Sequence, residues 1–274
     1  MTSTVLALAA ALTITPTSRA MQPGELVVLT VTSTVPLTAV RARAFDTDIA
    51  GFADDPQHWR VLIGIDLDAK LGPHSVVVTA TSAAGPVSAT YRLTVVAKTF
   101  PTRRLTVDPA FVNPPPDAMP RIEAEQKEQA AVWAASAAER LWSAPFVRPV
   151  DDEANSAFGT RSIFNGQPRG AHSGADFLSP AGRPVKAPNA GRVVLAKNLY
   201  YSGNCVIIDH GLGVFTYFAH FSRIDVAVGD MVTPGQVVGL VGATGRVTGA
   251  HLHWTARVAG ARVDPLSVLA LLGR

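Results

Sequence analysis

Four of the seven histidines of this 274-residue chain stand in three short polar motifs in its C-terminal half. The motifs are His172-Ser-Gly-Ala-Asp176, Tyr217-Phe-Ala-His220 and His251-Leu-His253. Imidazole and carboxylate groups are metal ligands, and imidazole also exchanges protons near pH 7. Their clustering predicts one site at which metal binding, proton transfer or both support a reaction.

The last motif suits a β-strand. Residues i and i+2 of a strand face the same side and lie about 6.6–7 Å apart. His251 and His253 can therefore point into one site, one binding a metal and the other standing beside it. Two histidines on a solvent-exposed strand are the alternative. We disfavour that alternative for two reasons. Leu252 would lie on the opposite face of the strand, in a core, and the other histidine motifs are near in sequence.

The first motif needs a bend. If the chain from His172 to Asp176 were extended, its ends would lie ~13 Å apart, too far for both to reach one zinc ion at roughly 2 Å. A helical turn would bring them together, but Gly174 and the Phe177–Pro180 segment argue against a helix. We predict a strand that starts with a bend at Gly174. By itself, this motif would be interpreted as two polar residues of a surface loop. The histidine pair about 75 residues further on strengthens its interpretation as part of a metal site.

The other histidines carry weaker signals. By itself, His220 would be an ordinary histidine at a strand end, and His210, which precedes Gly211, is predicted to be a turn residue with a structural role. His58 and His74 lie in the N-terminal half without partner motifs, and we assign them no function.

Composition narrows the class of protein. Hydrophobic residues make up 47% and charged residues 16%, and 22 glycines and 20 prolines favour a mostly β globular chain with many turns. The formal net charge is +3, but the 24 basic residues are scattered and no basic stripe with aromatics occurs, which sets nucleic acid aside. The single Cys205 excludes an intrachain disulfide framework and a zinc site built from several cysteines.

The stretch from residue 12 to residue 98 alternates like half-buried strands, with turn signals such as Gly72-Pro73 and Gly85-Pro86 between them. Five to seven short strands at this spacing predict an immunoglobulin-like β-sandwich domain, although the cysteine pair of antibody domains is missing. The predicted strands include Leu26–Thr32, Val40–Phe45, Val61–Leu67, Ser75–Thr81 and Thr90–Val96.

Residues 99–150 are predicted to be a proline-rich connector and a helix. Pro114 to Pro116 form a stiff spacer, and the helix is predicted from Asp117 to Trp142, ended by Pro145. Its tryptophans are interpreted as docking residues. Residues 151–274 then change to short strands punctuated by glycine and form a further domain. The strands predicted there are Arg192–Ala196, Asn204–Asp209, Val214–His220, Gln236–Val241 and His251–Val258.

The N-terminus allows two interpretations. The apolar run from Thr4 to Ala11 predicts an export signal over residues 1–11, although no basic residue precedes it. Cleavage would follow Ala9 or Ala11, or come later, after Ala20. The alternative is that the first β-strand already begins at Ala11. The run is too short to span a bilayer, so no membrane helix is predicted beyond a signal.

The region from about residue 156 to residue 268 resembles the lysostaphin/LytM-type murein metallopeptidases. Many motifs match in the right order: Phe158-Gly159-Thr160-Arg161, His172 to Phe177, Pro184 to Pro188, Gly191 to Val194, Gly203-Asn204, Asp209-His210-Gly211, Thr216 to His220, Gly229-Asp230, Gly235-Gln236, Gly242 to Gly245, Thr248 to His253 and Asp264-Pro265. Ala250 stands where a proline is most often expected, which is a detail of loop geometry.

The resemblance implies antiparallel sheets that form a groove, the duplicated hybrid motif of the lysostaphin-like peptidase fold. It also implies one zinc ion per chain, bound by His172, Asp176 and His253, with His220 and His251 as the catalytic pair. One of that pair would be the general base while both stabilise the oxyanion. Separately, Arg161 is a candidate substrate-binding residue because its loop precedes the metal motifs; a structural salt bridge is the alternative role.

The resemblance therefore predicts an exported zinc endopeptidase that hydrolyses peptide cross-links between peptidoglycan stem peptides. Its location would be the periplasm or cell envelope, with the extracellular space as an alternative. A non-catalytic wall-binding protein or hydrolase activator is the alternative, but such relatives are expected to have lost metal ligands. A zinc peptidase that cleaves proteins is a third. The N-terminal domain or the helix could also cover the groove.

Overall fold

The computed structural model describes residues 11–106, 112–156 and 158–273, and strands dominate these residues. The mostly β prediction is confirmed. Residues 1–10 of the predicted export signal lie outside the described residues. Within the described part of the chain, no helix is both long and apolar enough to cross a membrane.

Eight strands form the N-terminal region, in two four-stranded antiparallel sheets of order β1-β2-β6-β5 and β4-β3-β7-β8. The strands are β1 (Leu12–Thr17), β2 (Leu26–Ser33), β3 (Leu37–Ala44), β4 (Thr47–Ala50), β5 (Phe52–Asp55), β6 (His58–Gly64), β7 (Gly72–Ser82) and β8 (Gly85–Val95).

A shared core joins these two sheets into a sandwich. Buried residues of both sheets pack in one cluster, among them Val27 and Ile63 of the first sheet and Val76 and Val78 of the second. Burial in β7 alternates residue by residue, as a strand with one face on a core requires. The structure thus contains the predicted β-sandwich; its immunoglobulin-like topology stays a prediction.

The strand interpretation of the N-terminus is correct from Leu12 onward. Strand β1 pairs with β2 along its whole length, from Leu12 opposite Ser33 to Thr17 opposite Val28. Cleavage after Ala20 would therefore remove an edge strand of the sandwich.

The predicted connector is partly a strand. β9 (Thr102–Leu105) pairs in parallel with β11 (Arg161–Phe164), which in turn pairs with β12 (Gln167–Pro168). A segment expected to be a spacer is therefore built into the C-terminal half, in a small sheet that sequence periodicity over four exposed residues could not reveal.

The predicted helix is too long at its C-terminal end. A 3-10 turn (Pro116–Ala118) leads into α1 (Met119–Ala134), and Ala135 already leaves the helical region. Hydrogen bonds to the C-terminal sheet replace further helical bonds: the Ala137 amide donates to the Asp209 carboxylate at 2.7 Å. Tertiary bonding therefore ends the helix eight residues earlier than the predicted end at Trp142.

Both tryptophans of that segment dock as predicted, but onto different surfaces. Trp133, near the end of α1, packs edge-on against Phe215 at 5.4 Å between ring centres. Trp142 is buried in a cluster that contains Phe52 of the sandwich and Phe146.

The C-terminal half is a ten-stranded sheet whose main path runs β10-β13-β20-β17-β16-β15-β18, with β14, β19 and β21 paired at its sides. All strands predicted from glycine-punctuated runs occur in it. Its members are β10 (Ala154–Ser156), β13 (Gly174–Phe177), β14 (Pro184–Lys186), β15 (Gly191–Leu199), β16 (Gly203–Gly211), β17 (Val214–Ile224), β18 (Met231–Val232), β19 (Val237–Val241), β20 (Leu252–Val258) and β21 (Ala261–Val263).

A second helix, α2 (Pro265–Leu272), follows the sheet and was missed by sequence analysis. Asp264 caps it by accepting a hydrogen bond from the Leu266 amide at 3.0 Å, and Pro265 occupies the first turn. The helix packs between the sandwich and the sheet, and it is apolar on most sides. It therefore lacks the amphipathic period by which a surface helix is identified in a sequence.

Candidate metal centre and active site

Three ligand atoms converge at one point of the C-terminal sheet. Nε2 of His172 lies 2.9 Å from Oδ1 of Asp176 and 3.1 Å from Nδ1 of His253. Nδ1 of His253 lies 2.8 Å from the same carboxylate oxygen. These residues are the one group of three or more metal-ligating side chains found among the described residues.

Strand register brings two of the three together. Asp176 of β13 is the direct cross-strand partner of His253 of β20, so their side chains leave the same face of the sheet side by side. Neither motif contains this information, because residues 77 positions apart meet only through strand pairing.

His172 is positioned by the loop that precedes β13. Its amide donates to the Thr160 carbonyl at 2.9 Å, and its carbonyl accepts from the Gly159 amide at 2.7 Å. The strand then begins at Gly174, where the chain was predicted to bend. A side chain at Gly174 would collide with the Trp254 carbonyl, so glycine permits the close approach of β13 to β20.

His251 stands beside the cluster. Its Nδ1 donates to the Gly249 carbonyl at 3.0 Å, and its Nε2 lies 4.0 Å from Oδ1 of Asp176. His251 and His253 thus serve the same site from alternate positions of one chain segment, as the strand spacing predicted.

A β-bulge directs His220 into the same site. Ala219 pairs with His253, but the register between β16 and β17 shifts just beyond it, and His220 has a left-handed φ of 69°. Its Nδ1 donates to the Thr244 carbonyl at 2.9 Å, and its ring centre lies 4.8 Å from that of His251. A regular strand would have sent this side chain elsewhere, and backbone strain at functional residues is common.

Burial and hydrogen bonds set the charges of the site. Burial opposes ionisation of Asp176, but the bonds to His172 and His253 hold the pKa of this carboxyl well below its usual range. Burial lowers the pKa of His220 to about 4, against the opposing effect of its bond to Thr244. Burial also lowers the pKa of His253. At neutral pH the site therefore combines a carboxylate with uncharged imidazoles at these two positions.

Thr255 supports the cluster from behind and was missed by sequence analysis. Its hydroxyl lies 3.0 Å from Nε2 of His253, on the ring edge opposite the converging Nδ1. With a metal bound at Nδ1, Nε2 would carry the proton and donate to Thr255, which would fix the ring orientation.

The five histidine and aspartate positions line one cavity of about 480 Å³. Arg103 and Leu105 of β9 form part of its wall, and Tyr201 and Arg246 form another part. Within the described chain, neither the sandwich nor α1 contributes to this lining, so the part of the wall that precedes the C-terminal domain comes from the connector strand.

Arg161 is not brought to this cavity. It lines a separate one with Arg169 and Arg262, and its amide bonds to the Pro101 carbonyl at 2.8 Å. The geometry gives Arg161 no part in the histidine site, whereas Arg246, in the glycine-rich segment before His251, was not singled out from the sequence.

The remaining histidines have structural surroundings. The prediction that His210 is a turn residue is wrong, because His210 is fully buried within β16. Its ring bonds the Ala190 carbonyl at 2.7 Å and Thr216 at 2.8 Å, which is a structural role. His58 pairs with Asp55 at the surface, and His74 bonds the Lys70 carbonyl.

Comparison with known proteins agrees with this site. Residues 170–265 match peptidase family M23. The chain is 45% identical over 95 residues to the peptidoglycan DD-endopeptidase ShyA of Vibrio cholerae, and 44% identical over 97 residues to the DD-carboxypeptidase/endopeptidase Mpg of Neisseria meningitidis. Each match covers 35% of this chain and 22% of the relative, so the chain spans about a fifth of the length of these proteins.

A crystal structure from Pseudomonas aeruginosa described as a peptidase M23 is similar over nearly the whole chain. Its TM-score is 0.70 at 30% identity, and the match covers 92% of this chain and 95% of that one. The chain therefore belongs to peptidase family M23, a family of metallopeptidases, and the resemblance inferred from the motifs is confirmed.

Proposed function

We propose that this protein is a zinc-dependent endopeptidase that hydrolyses peptide cross-links of bacterial peptidoglycan. The observation that carries the proposal is the convergence of His172, Asp176 and His253 within one cavity that also holds His220 and His251. Because peptidoglycan lies outside the cytoplasmic membrane, this function requires the protein to be exported to the periplasm or cell envelope.

The three converging residues fit zinc. Two imidazole nitrogens and one carboxylate oxygen are ligands that zinc prefers, and three protein ligands are the number found in catalytic zinc sites. Tetrahedral zinc with bonds of about 2.0–2.1 Å separates its ligand atoms by about 3.3 Å. The observed separations of 2.8, 2.9 and 3.1 Å need only a small expansion to reach that value.

Bound zinc polarises a scissile carbonyl and acidifies an attacking water. The chain itself must supply the proton acceptor and the proton donor. His220 and His251 both donate from Nδ1 to a backbone carbonyl, so in their neutral forms Nε2 keeps its lone pair. Nε2 of His251 lies near the ligand atoms, and we assign it the role of general base that later returns the proton to the leaving amine.

His220 takes the second role in the proposed reaction. Its fixed Nδ1–H bond and its strained backbone hold the ring 4.8 Å from His251, centre to centre. As negative charge develops on the substrate oxygen, Nε2 of His220 can take a proton from solvent water and hold it in a hydrogen bond to that oxyanion. Burial disfavours the protonated His220 ring in the resting site. The positive charge on the ring is therefore stabilised most when the oxyanion forms beside it.

The names of the relatives support the substrate proposal. Two of them are named for DD-endopeptidase or DD-carboxypeptidase/endopeptidase activity, one of these on peptidoglycan. We therefore propose a cross-link between a D-amino acid and the next stem peptide as the cleaved bond. The intact set of His172, Asp176 and His253 argues against a non-catalytic wall-binding role.

Digestion of purified peptidoglycan by the full chain tests the proposal. The digestion is run without a zinc chelator, with a chelator, and with zinc restored after chelation. The products are separated and identified by mass spectrometry. We expect cross-linked dimers to disappear and monomers to appear, only when zinc is present. Cleavage of casein but not of peptidoglycan would instead identify a protein-directed peptidase, and bound zinc without any cleavage would contradict the enzymatic role.

The variant His251→Ala separates chemistry from metal binding. We expect it to retain zinc, because the three proposed ligands are intact, and to lose activity by about 10²- to 10⁴-fold, the usual contribution of a general base. The matched control is His58→Ala, which removes an exposed histidine of the sandwich and should leave turnover unchanged. Normal turnover of His251→Ala would remove His251 from the mechanism.

A further inference from the structure

Arg246 has a fixed place in the wall of the active-site cavity. Its guanidinium carbon lies 4.2 Å from the ring centre of Tyr201, and its backbone amide donates to the Tyr201 carbonyl at 2.9 Å. Both residues line the cavity together with the proposed metal ligands. The guanidinium plane is thus held on an aromatic face inside the site.

The backbone, rather than the arginine side chain, fixes this arrangement. Gly245 has a left-handed φ of 80°, and a side chain there would collide with the Gly203 amide nitrogen. The loop that contains Arg246 is therefore pressed directly against the turn that contains Tyr201. A substitution that shortens the Arg246 side chain leaves this backbone contact in place.

The charges of the cavity wall favour an anion. Its charged lining residues, among the described residues, are Arg103, Arg246 and Asp176. The aspartate is already engaged by His172 and His253, and it would be a metal ligand in the proposed enzyme. Burial lowers the pKa of Arg246, as does the nearby charge of Arg169, so an anion placed against this guanidinium would relieve both effects.

We propose that Arg246, stacked on Tyr201, is a binding subsite for a substrate carboxylate beside the scissile bond, with Arg103 supplying positive charge from the facing β9 strand. The inference rests on the proposed function and deepens it. A planar guanidinium held on an aromatic ring matches a carboxylate through two parallel hydrogen bonds, and its attachment to a rigid loop gives it geometric selectivity.

This subsite selects among peptide cross-links. A cross-link through a diamino acid with a second carboxyl group carries that carboxylate next to the cleaved bond, and the acceptor stem peptide also ends in a free α-carboxylate. A bridge made of glycine alone offers neither a side chain nor a charge at that position. The subsite therefore favours the first kind of cross-link and disfavours the second.

Cleavage of synthetic cross-linked dimers tests the subsite. Four dimers are used: both carboxylates free, the diamino acid carboxylate amidated, the terminal carboxylate amidated, and both amidated. We expect wild-type kcat/KM to fall roughly 10- to 100-fold when the recognised carboxylate becomes an amide, the loss typical of a charge-assisted hydrogen bond. The single amidation that causes the fall identifies which carboxylate is bound.

Three variants assign that preference to Arg246. Arg246→Gln should cut the free and amidated dimers at similar rates, and Arg246→Lys should restore part of the preference through its charge alone. Arg192→Gln removes an exposed arginine of β15 that bonds the Gly229 carbonyl, away from the cavity, and should behave like the wild type. Zinc content and thermal midpoint, measured for each variant, show that metal centre and fold are intact.

A binding measurement avoids dependence on turnover. The metal-free protein, stripped by a chelator so that a carboxylate cannot bind the metal, is titrated calorimetrically with stem peptides bearing free or amidated carboxylates. Weaker binding of the amide by wild type but not by Arg246→Gln supports the subsite. Equal cleavage and equal binding of all four forms by wild type would overturn it while leaving the endopeptidase intact. No cleavage of any dimer would overturn the endopeptidase, and the titration would still decide whether Arg246 binds carboxylates.

Discussion

At the scale of single residues, the site depends on which nitrogen of each histidine faces the ligand cluster. Backbone carbonyls bond Nδ1 of His220 and His251, and the Thr255 hydroxyl bonds Nε2 of His253. The nitrogen on the other side of each ring therefore differs: it is Nδ1 in His253, where it faces the other ligand atoms, and Nε2 in His220 and His251. In the proposed enzyme, His253 offers Nδ1 to the metal, whereas the two proposed catalytic histidines keep Nε2 for proton transfer.

The Thr255 hydroxyl should tune metal affinity. Thr255→Val keeps the shape of a side chain that is 4% exposed but removes the bond to His253. We expect zinc affinity to fall about 10- to 100-fold, as is typical when such a supporting bond is lost. Competition with a chromophoric chelator measures the change. Thr255→Ser, which keeps the hydroxyl, is the control, and equal affinity of wild type and Thr255→Val would contradict this role.

His210 should make stability depend on pH. It is buried, and burial lowers its pKa to about 4 from the ordinary 6.5. The unfolded chain therefore binds a proton at this residue in a pH range where the folded chain does not, so the stability due to neutral His210 is complete above pH 6.5 and declines towards pH 4. The decline corresponds to about 3 kcal/mol of unfolding free energy.

Comparison with His210→Asn isolates this effect. Unfolding free energies are measured from pH 7 to pH 4 for both proteins, each without metal. His220 and His253 also have lowered pKa values, but they are present in both proteins and contribute equally to both curves. The variant should be less stable at pH 7 but should show a shallower decline on acidification. Parallel curves would rule out His210 as a source of the pH dependence.

At the scale of elements, strand pairing does most of the assembly. The pairing of β13 with β20 sets Asp176 beside His253, the bulge in β17 turns His220 inward, and the loop–turn contact at Gly245 positions Arg246. Each of these three features belongs to the backbone. Substitution of a glycine that permits a close backbone contact should therefore disturb the site, even though glycine carries no functional group.

Gly174→Ala tests the β13–β20 contact. The added methyl group would meet the Trp254 carbonyl, so the strands must separate two residues from the point where Asp176 and His253 are paired. We expect a loss of roughly 1–3 kcal/mol in stability and weaker zinc binding. Gly170→Ala, where a methyl group meets nothing within 4 Å, should change neither. Denaturant unfolding and zinc titration give both values; wild-type behaviour of Gly174→Ala would contradict the close approach.

At the scale of the whole molecule, the sandwich and the C-terminal sheet share a hydrophobic core. Leu26 and Leu62 of the sandwich pack in one buried cluster with Val258 of β20 and Val268 of α2. His253 and Val258 are five positions apart on one strand, about 17 Å, so this contact is made at the end of β20 away from the site. The sandwich therefore buttresses the sheet without lining the cavity.

A buried polar network accompanies this interface. Glu25, 3% exposed, accepts hydrogen bonds from Arg19, Lys98 and the Ser267 hydroxyl, and Arg19 also pairs with Asp264 at the start of α2. Burial opposes ionisation of Glu25, but the Arg19 guanidinium holds the pKa of this carboxyl below its usual value.

Glu25→Gln should destabilise the entire molecule. It removes the charge that satisfies two cations, and we expect a loss of roughly 2–4 kcal/mol. Because the two halves share a core, both should unfold in one transition at a lower midpoint, measured by calorimetry. The control, Glu153→Gln, breaks an exposed pair with Arg148 and should leave the midpoint unchanged. A separate early transition in the sandwich alone would contradict the shared core.

The sequence by itself determined what depends on local order. Alternation predicted the strands because one face of each meets a core, and the histidine motifs contain all five histidine and aspartate residues that line the cavity, because metal and proton chemistry restrict residue types. It failed where distant segments decide the outcome. Ala137 leaves the helix for a bond to Asp209, and β9 becomes a strand only beside β11.

Only the tertiary structure decided how those residues are used. The register of β13 against β20 aligned Asp176 with His253, a bulge turned His220 inward, and loop packing set Arg246 on Tyr201 while Arg161 went to another cavity. The reason is physical. Residue type fixes what a side chain can bind, but contacts between segments far apart in sequence fix where it points, and no local pattern encodes them.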